Sequence, residues 1–183
     1  DARRPRYDVT CYLDSEREGC IQNVDPDASE YLGKNFVVFM DHGGPSSWCD
    51  TLESYEIPGI ENNMNLDLPV VFGDACLTNN FWQGGIDTMG PNWIRKGAIA
   101  YYGAVGVTQG PDCWSGYSYK GNAARFMDEV MRSHGLNTLG GISSALIPCR
   151  GQCCGTSRHC WWTDCSYRDD FIMLGDPFLV PNF

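Results

Sequence analysis

The sequence lacks any long apolar run. None of its apolar stretches approaches the roughly 18–20 residues that a membrane-spanning helix needs. The first eight residues, DARRPRYD, lack the apolar core of a signal peptide, and internal repeats and low-complexity tracts are also missing. We therefore predict a folded chain without a membrane span, from which any export signal has already been removed.

Positive charge is scarce, with 13 Lys and Arg residues against 23 Asp and Glu residues and a formal net charge of −10. Because phosphate binding needs clustered basic side chains, this balance argues against a nucleic-acid partner. Asn-x-Ser/Thr acceptors are absent, which argues against N-glycosylation. The 183 residues are 43% hydrophobic and 13% aromatic, which is enough to bury a core. We predict one domain over residues 1–183.

Cysteine, by contrast, is abundant. Five of the ten cysteines lie within residues 149–165, CRGQCCGTSRHCWWTDC. Such density is typical of exported proteins with disulfide bonds. Zinc is the rival interpretation because His159 lies among these cysteines, but the paired Cys-x2-Cys knuckles of zinc sites are absent. We predict a disulfide-rich insertion at 149–165, no bound metal at this insertion, and a secreted, extracellular protein.

The chain shows no cofactor signature, although structural calcium stays open. Residues 23–30, NVDPDASE, supply carboxylates and amides but not the ligand spacing of an EF-hand loop. The alternative is an ordinary solvated surface.

Three short apolar blocks without alternation predict strands buried on both faces. They are residues 35–43 (NFVVFMDHG), 68–76 (LPVVFGDAC) and 98–108 (AIAYYGAVGVT). Helical patterns or helix boundaries separate them, and residues 7–14 and 170–181 predict further strands, the latter broken by Gly-Asp-Pro. Buried strands alternating with helices predict an α/β fold, a three-layer sandwich with a mainly parallel sheet flanked by helices. The other predicted helices are at 25–33, 121–135 and 138–147, and a further helix ends at residue 97. A loop is predicted at 15–27, and a loop or short helices at 46–67.

Reactive residues close two of these blocks, His42 the first and Cys76 the second. Ligands of parallel sheets gather at the carboxyl ends of the strands. A thiol and an imidazole there are the ingredients of cysteine nucleophilic catalysis: Cys76 would attack a carbonyl and His42 would protonate the departing amine. The N–H groups of Gly43 and Cys76 would receive the oxyanion, since a glycine N–H can approach a carbonyl closely. The alternatives are plain packing of both side chains, or a disulfide at Cys76.

The order of these motifs resembles the gingipain-type (C25-like) cysteine peptidases of the caspase-like fold. The matching segments are ASEYLGKNFVVFMDHGG, PVVFGDACLTNNF, RKGAIAYYGAV and YRDDFIMLGDPFLV, which together span about Tyr7 to Val180. The resemblance implies an endopeptidase acting on peptides or proteins, with Cys76 as nucleophile, His42 as general acid and Gly43 as an oxyanion donor. Trp114 would form an aromatic wall of the substrate pocket, or serve only in packing.

Two departures from the family favour an alternative function. Family domains begin with at least one more strand and helix, so the resemblance implies that this chain is a processed or incomplete one. Nine cysteines remain beside Cys76 and cannot all pair within the chain, which suggests an interchain disulfide to a second chain or protomer. The alternative is a catalytically silent domain that serves as a structural or assembly subunit of an extracellular complex.

Overall fold

A computed structural model describes the parts of the chain from which the candidate site is built, namely residues 10, 12–13, 21–22, 26–49, 51–59, 68–107, 138–141 and 171–178. The predicted helix 121–135, the cysteine-rich segment 149–165 and Trp114 lie outside the described residues.

The described elements are eight strands and two short α-helices, together with three 3-10 helices. The strands are β1 (Tyr12–Leu13), β2 (Ile21–Gln22), β3 (Phe36–Met40), β4 (Ser47–Trp48), β5 (Leu52–Glu53), β6 (Val70–Asp74), β7 (Ala100–Ala104) and β8 (Phe171–Gly175). The helices are α1 (Phe81–Gly84) and α2 (Met89–Arg95), and the 3-10 helices are Ala28–Tyr31, Ser54–Glu56 and Gly85–Asp87. Residues 139–141 are also helical.

The main sheet has four strands in the order β3-β6-β7-β8. The three predicted apolar blocks form β3, β6 and β7, which are parallel, whereas β8 runs antiparallel to β7. Valine, phenylalanine and tyrosine favour these pleated, packed positions. The prediction of a mainly parallel sheet with helices is therefore confirmed, with β8 as its antiparallel member.

One face of the sheet packs against α2 and a group of aromatic side chains. Trp48 and Trp93 are fully buried there, with ring centroids 5.7 Å apart. Tyr31 makes edge-to-face contacts with both indoles, with ring centroids 6.2 and 5.7 Å apart. Edge-to-face contacts of this kind stabilise a pair beyond the buried area alone. This aromatic cluster places the loop after β3 against α2.

The opposite face is built on stacked rings. Phe72 lies 5.0 Å from Tyr102 and 6.2 Å from Phe171, and Leu139 belongs to the same buried cluster. Strand alternation sends neighbouring residues of β6 and β7 to the two clusters in turn. Both faces of these two central strands are therefore covered.

The interpretation of residues 35–43 as a fully buried strand is wrong in one respect. Val38 and Met40 are 42% and 62% exposed. Within the described part of the chain, β3 pairs with β6 and has no partner on its other side. A terminal strand has fewer neighbours to cover its side chains, and an apolar block alone does not reveal this position.

Outside the main sheet, two other predictions need refinement. The predicted loop 15–27 contains β2, which pairs in parallel with β1. Residues 46–67 contain the antiparallel pair β4–β5 and the 3-10 helix Ser54–Glu56. No helix in the described part of the chain is long and apolar enough to cross a membrane.

The predicted helix at 25–33 is a single 3-10 turn, Ala28–Tyr31. The Asp27 carboxylate caps it by accepting a hydrogen bond from the Ser29 N–H at 2.8 Å, and this bond lowers the pKa of Asp27. Asp27 is one of the carboxylates in residues 23–30 that are candidate calcium ligands, and here it acts as a helix cap.

Candidate active site

The carboxyl ends of β3 and β6 lie side by side. Their register pairs Met40 with Asp74, an offset of 34 residues (74 − 40). His42 and Cys76 have the same separation (76 − 42 = 34), and each lies two residues beyond its strand. Neighbouring strands lie about 4.8 Å apart. The register therefore places both predicted catalytic residues just beyond the same edge of the sheet, on adjacent strands.

His42 lies in a tight hairpin, residues 41–49, which we call the histidine hairpin. The Cys49 N–H donates to the His42 carbonyl at 3.1 Å, and the Gly44 N–H donates to the Ser47 carbonyl at 2.9 Å. The His42 side chain is exposed, and its backbone N–H donates to the Asp41 carboxylate at 2.6 Å. The hairpin thus fixes the backbone of His42 while its imidazole faces solvent.

Gly43 pairs with Trp48 as an isolated antiparallel bridge within this hairpin. The two hydrogen bonds of the hairpin flank this pair, so Gly43 and Trp48 exchange none between themselves. The Gly43 N–H therefore points away from Trp48. The two hydrogen bonds of the hairpin thus leave this N–H unused.

Cys76 lies in a second segment, residues 75–80, which we call the cysteine turn. Its neighbour Leu77 adopts the left-handed conformation with φ of 61°. That conformation costs a non-glycine residue about 1–2 kcal/mol. The cost is offset locally because the Leu77 N–H donates to the Gly106 carbonyl at 2.9 Å and the Leu77 carbonyl accepts from Asn80 at 2.8 Å. Cys76 itself is half-buried.

The histidine hairpin and the cysteine turn touch at Gly43. A Cβ added there would lie 2.7 Å from the Ala75 Cβ and 3.2 Å from the Thr78 Cγ2. Only a glycine allows this approach without displacing backbone. The glycine after the histidine therefore has a packing reason in addition to the access to substrate inferred from the sequence.

Asn79 fastens the cysteine turn to the far strands of the sheet. Its side chain is fully buried, and its Nδ2 donates to the Gly103 carbonyl of β7 at 3.2 Å and to the Ile172 carbonyl of β8 at 3.0 Å. Its backbone N–H donates to the Ala104 carbonyl at 2.7 Å. A Cβ on Gly90 of α2 would collide with the Asn79 amide. One side chain thus joins the turn, two strands and a helix.

Asp74 ends β6 as a buried acid, two residues before Cys76. Tyr102 lies on the same face of the sheet. Burial, and secondarily the negative charge of Asp74, raise the pKa of Tyr102 to about 12. The Tyr102 phenol is therefore neutral at physiological pH.

Sequence reasoning did not identify the residues that support the site, namely Trp48, Thr78, Asn79 and Tyr101. A partial signal was available, because a polar Thr-Asn-Asn run directly follows Cys76 and a glycine interrupts the apolar block before it. Among the described residues, no group of three or more His, Cys, Asp or Glu side chains is placed to hold a metal ion.

Comparison with known proteins gives a similar fold and a family. One solved structure, titled "Structure of Protease", is similar in fold with a TM-score of 0.56 and 19% sequence identity. The similarity covers 80% of this chain and 35% of that one, so the chain spans about a third of its length. A search among curated proteins gave no match. The sequence profile of peptidase family C25 matches residues 7–182. The chain therefore belongs to peptidase family C25, the gingipain family of cysteine peptidases.

Proposed function

We propose that this chain is an exported cysteine endopeptidase of caspase-like, three-layer fold that hydrolyses peptide bonds through Cys76. The observation that carries the proposal is the shared offset of 34 residues, which leads His42 and Cys76 off one edge of the sheet on adjacent parallel strands. The contact of Gly43 with Ala75 brings the two segments together beyond the strands.

The proposed reaction uses groups of this chain alone. The Cys76 thiolate attacks the carbonyl carbon of the scissile bond, and the N–H groups of Gly43 and Cys76 stabilise the oxyanion. The protonated His42 imidazole donates a proton to the departing amine. Water then hydrolyses the acyl-enzyme and regenerates the thiol. No cofactor takes part in these steps.

Covalent labelling tests this proposal. We expect a biotinylated peptidyl chloromethyl ketone to label the folded chain at Cys76, because attack by the thiolate displaces chloride and leaves a stable thioether. Tryptic mass spectrometry locates the label. Cys76→Ala should remove it, and prior alkylation with iodoacetamide should block it. If folded protein carries the label elsewhere or nowhere, the endopeptidase proposal fails.

A second candidate function, an assembly subunit of an extracellular complex, is favoured by Cys49. Within the described part of the chain, Cys49 is a free cysteine with an exposed side chain. Setting aside Cys49 and Cys76 leaves eight cysteines (10 − 2), the even number that intrachain pairing requires. We propose Cys49 as the residue that forms an interchain disulfide.

Non-reducing electrophoresis checks this role. The protein is expected to migrate as a covalent dimer that a reductant converts to monomer, and Cys49→Ser should give monomer under both conditions. A covalent dimer that persists in Cys49→Ser would assign the bridge to another cysteine. A disulfide found at Cys76 by peptide mapping would leave only the assembly function.

A further inference from the structure

Tyr101 of β7 lies beneath both segments of the candidate site. Its side chain is fully buried, and its hydroxyl accepts a hydrogen bond from the Trp48 Nε1–H at 3.3 Å. Trp48 is the residue paired with Gly43 in the histidine hairpin. The Tyr101 hydroxyl is thereby connected to the segment that carries His42.

Thr78 of the cysteine turn interacts with the same hydroxyl, which lowers the pKa of Tyr101 against the larger, raising effect of burial. The Thr78 Oγ1 and the Tyr101 ring both lie against Gly103. Thr78 Oγ1 in turn donates to the Ala75 carbonyl at 3.3 Å. An indole N–H can only donate, so the Tyr101 oxygen is the acceptor in the bond from Trp48. A series of polar contacts thus runs from Trp48 through Tyr101 and Thr78 to the residue before Cys76.

Two glycines make room for these contacts. A Cβ on Gly73 of β6 would collide with the Tyr101 hydroxyl and would lie 3.2 Å from the Trp48 Nε1. A Cβ on Gly103 of β7 would collide with the Tyr101 ring and would lie 2.8 Å from the Thr78 Oγ1. Gly73 and Gly103 are register partners. Glycines inside strands mark such close approaches.

We propose that Tyr101 is a positioning residue whose hydroxyl holds the histidine hairpin and the cysteine turn in catalytic register. This inference rests on the proposed endopeptidase function. Burial raises the pKa of Tyr101 well above its ordinary value, so the hydroxyl keeps its proton. Loss of the hydroxyl leaves the ring in place but removes this link between the two segments, so that the contact at Gly43 is left to hold them together.

Hydrogen exchange of Tyr101→Phe tests the linkage without reference to activity. Amides of residues 41–49 and 75–80 are expected to exchange roughly 10-fold faster in this variant, in both segments together, because a shared contact is lost. Tyr102→Phe is the matched control, since it makes the same change on the same strand but on the opposite face. Acceleration of only one segment, or of neither, overturns the proposal. So does equal acceleration in Tyr102→Phe.

Kinetics on a fluorescent peptide library then test positioning. Tyr101→Phe is expected to lower kcat roughly 10-fold or more and to leave KM within about 2-fold, because misplacement of reacting groups costs the transition state rather than binding. Thr78→Val should have the same effect, and the double variant should be no worse than either single one. Unchanged kcat in Tyr101→Phe overturns the positioning role.

These measurements separate the two proposals. If the wild type hydrolyses no peptide, the endopeptidase function fails, while hydrogen exchange still decides whether Tyr101 links the segments. If Tyr101→Phe does not fold, Thr78→Val takes its place in both experiments, because it exchanges a single hydroxyl for a methyl group.

Discussion

Replacement of Cys76 by serine is expected to lower kcat/KM for labelled casein by roughly 10⁴-fold or more. Serine keeps the shape of the side chain, but its hydroxyl stays protonated where a thiol readily ionises. His42 serves as the proton donor in the proposed reaction and does not compensate for this difference. The measurement is the initial rate of casein hydrolysis at equal concentrations of folded protein.

The matched control is Cys49→Ser, which makes the same chemical change at an exposed cysteine of the histidine hairpin. Its rate is expected to stay within about 3-fold of wild type, since surface changes have small effects. His42→Ala should cost about as much as Cys76→Ser, and the double variant little more, because the two residues act as a unit. Retention of a tenth of wild-type activity by Cys76→Ser would place the nucleophile elsewhere.

Gly43→Ala is expected to lower kcat by roughly 100-fold. Its new Cβ would lie 2.7 Å from the Ala75 Cβ, so the histidine hairpin and the cysteine turn must move apart. The Ala75 methyl has no rotamer that relieves the contact. Overpacking of this kind costs stability by about 1–3 kcal/mol, which urea unfolding would detect. The kinetic loss should exceed what the remaining folded fraction explains.

Gly44→Ala is the control for this experiment. The nearest heavy atom to a Cβ at Gly44 is the Ser47 Oγ at 3.7 Å, an ordinary van der Waals contact. We expect nearly wild-type kcat and stability from this neighbouring glycine. Equal loss in the two variants would show that the whole loop is sensitive to added bulk, and would contradict a specific role for the Gly43–Ala75 contact.

The sequence allowed prediction of the three parallel strands of the main sheet because short apolar blocks with polar ends are a local pattern. It also indicated one shared edge for His42 and Cys76, since parallel strands end together. The exposure of Val38 and Met40 was not predictable, because the same apolar block suits a central or a terminal strand. The residues of β8 likewise do not indicate that this strand runs antiparallel to β7.

The supporting residues depend on contacts between distant parts of the chain. Trp48 lies in a segment without hydrophobic period, and its partner Tyr101 is 53 residues away. Nothing local to either residue distinguishes a buried tyrosine that packs from one that connects two loops. Gly73 was the nearest signal, since a glycine inside an apolar block often marks a close approach.

The bond from Asn79 to Ile172 has a consequence for biosynthesis. It joins the cysteine turn to residues 93 positions later in the chain. While the protein is being synthesised, the turn cannot acquire its last anchor until the ribosome has passed Ile172. Contacts at such long sequence separation form late in folding. A nascent chain therefore carries Cys76 in a turn without this anchor until β8 has been synthesised and joins the sheet.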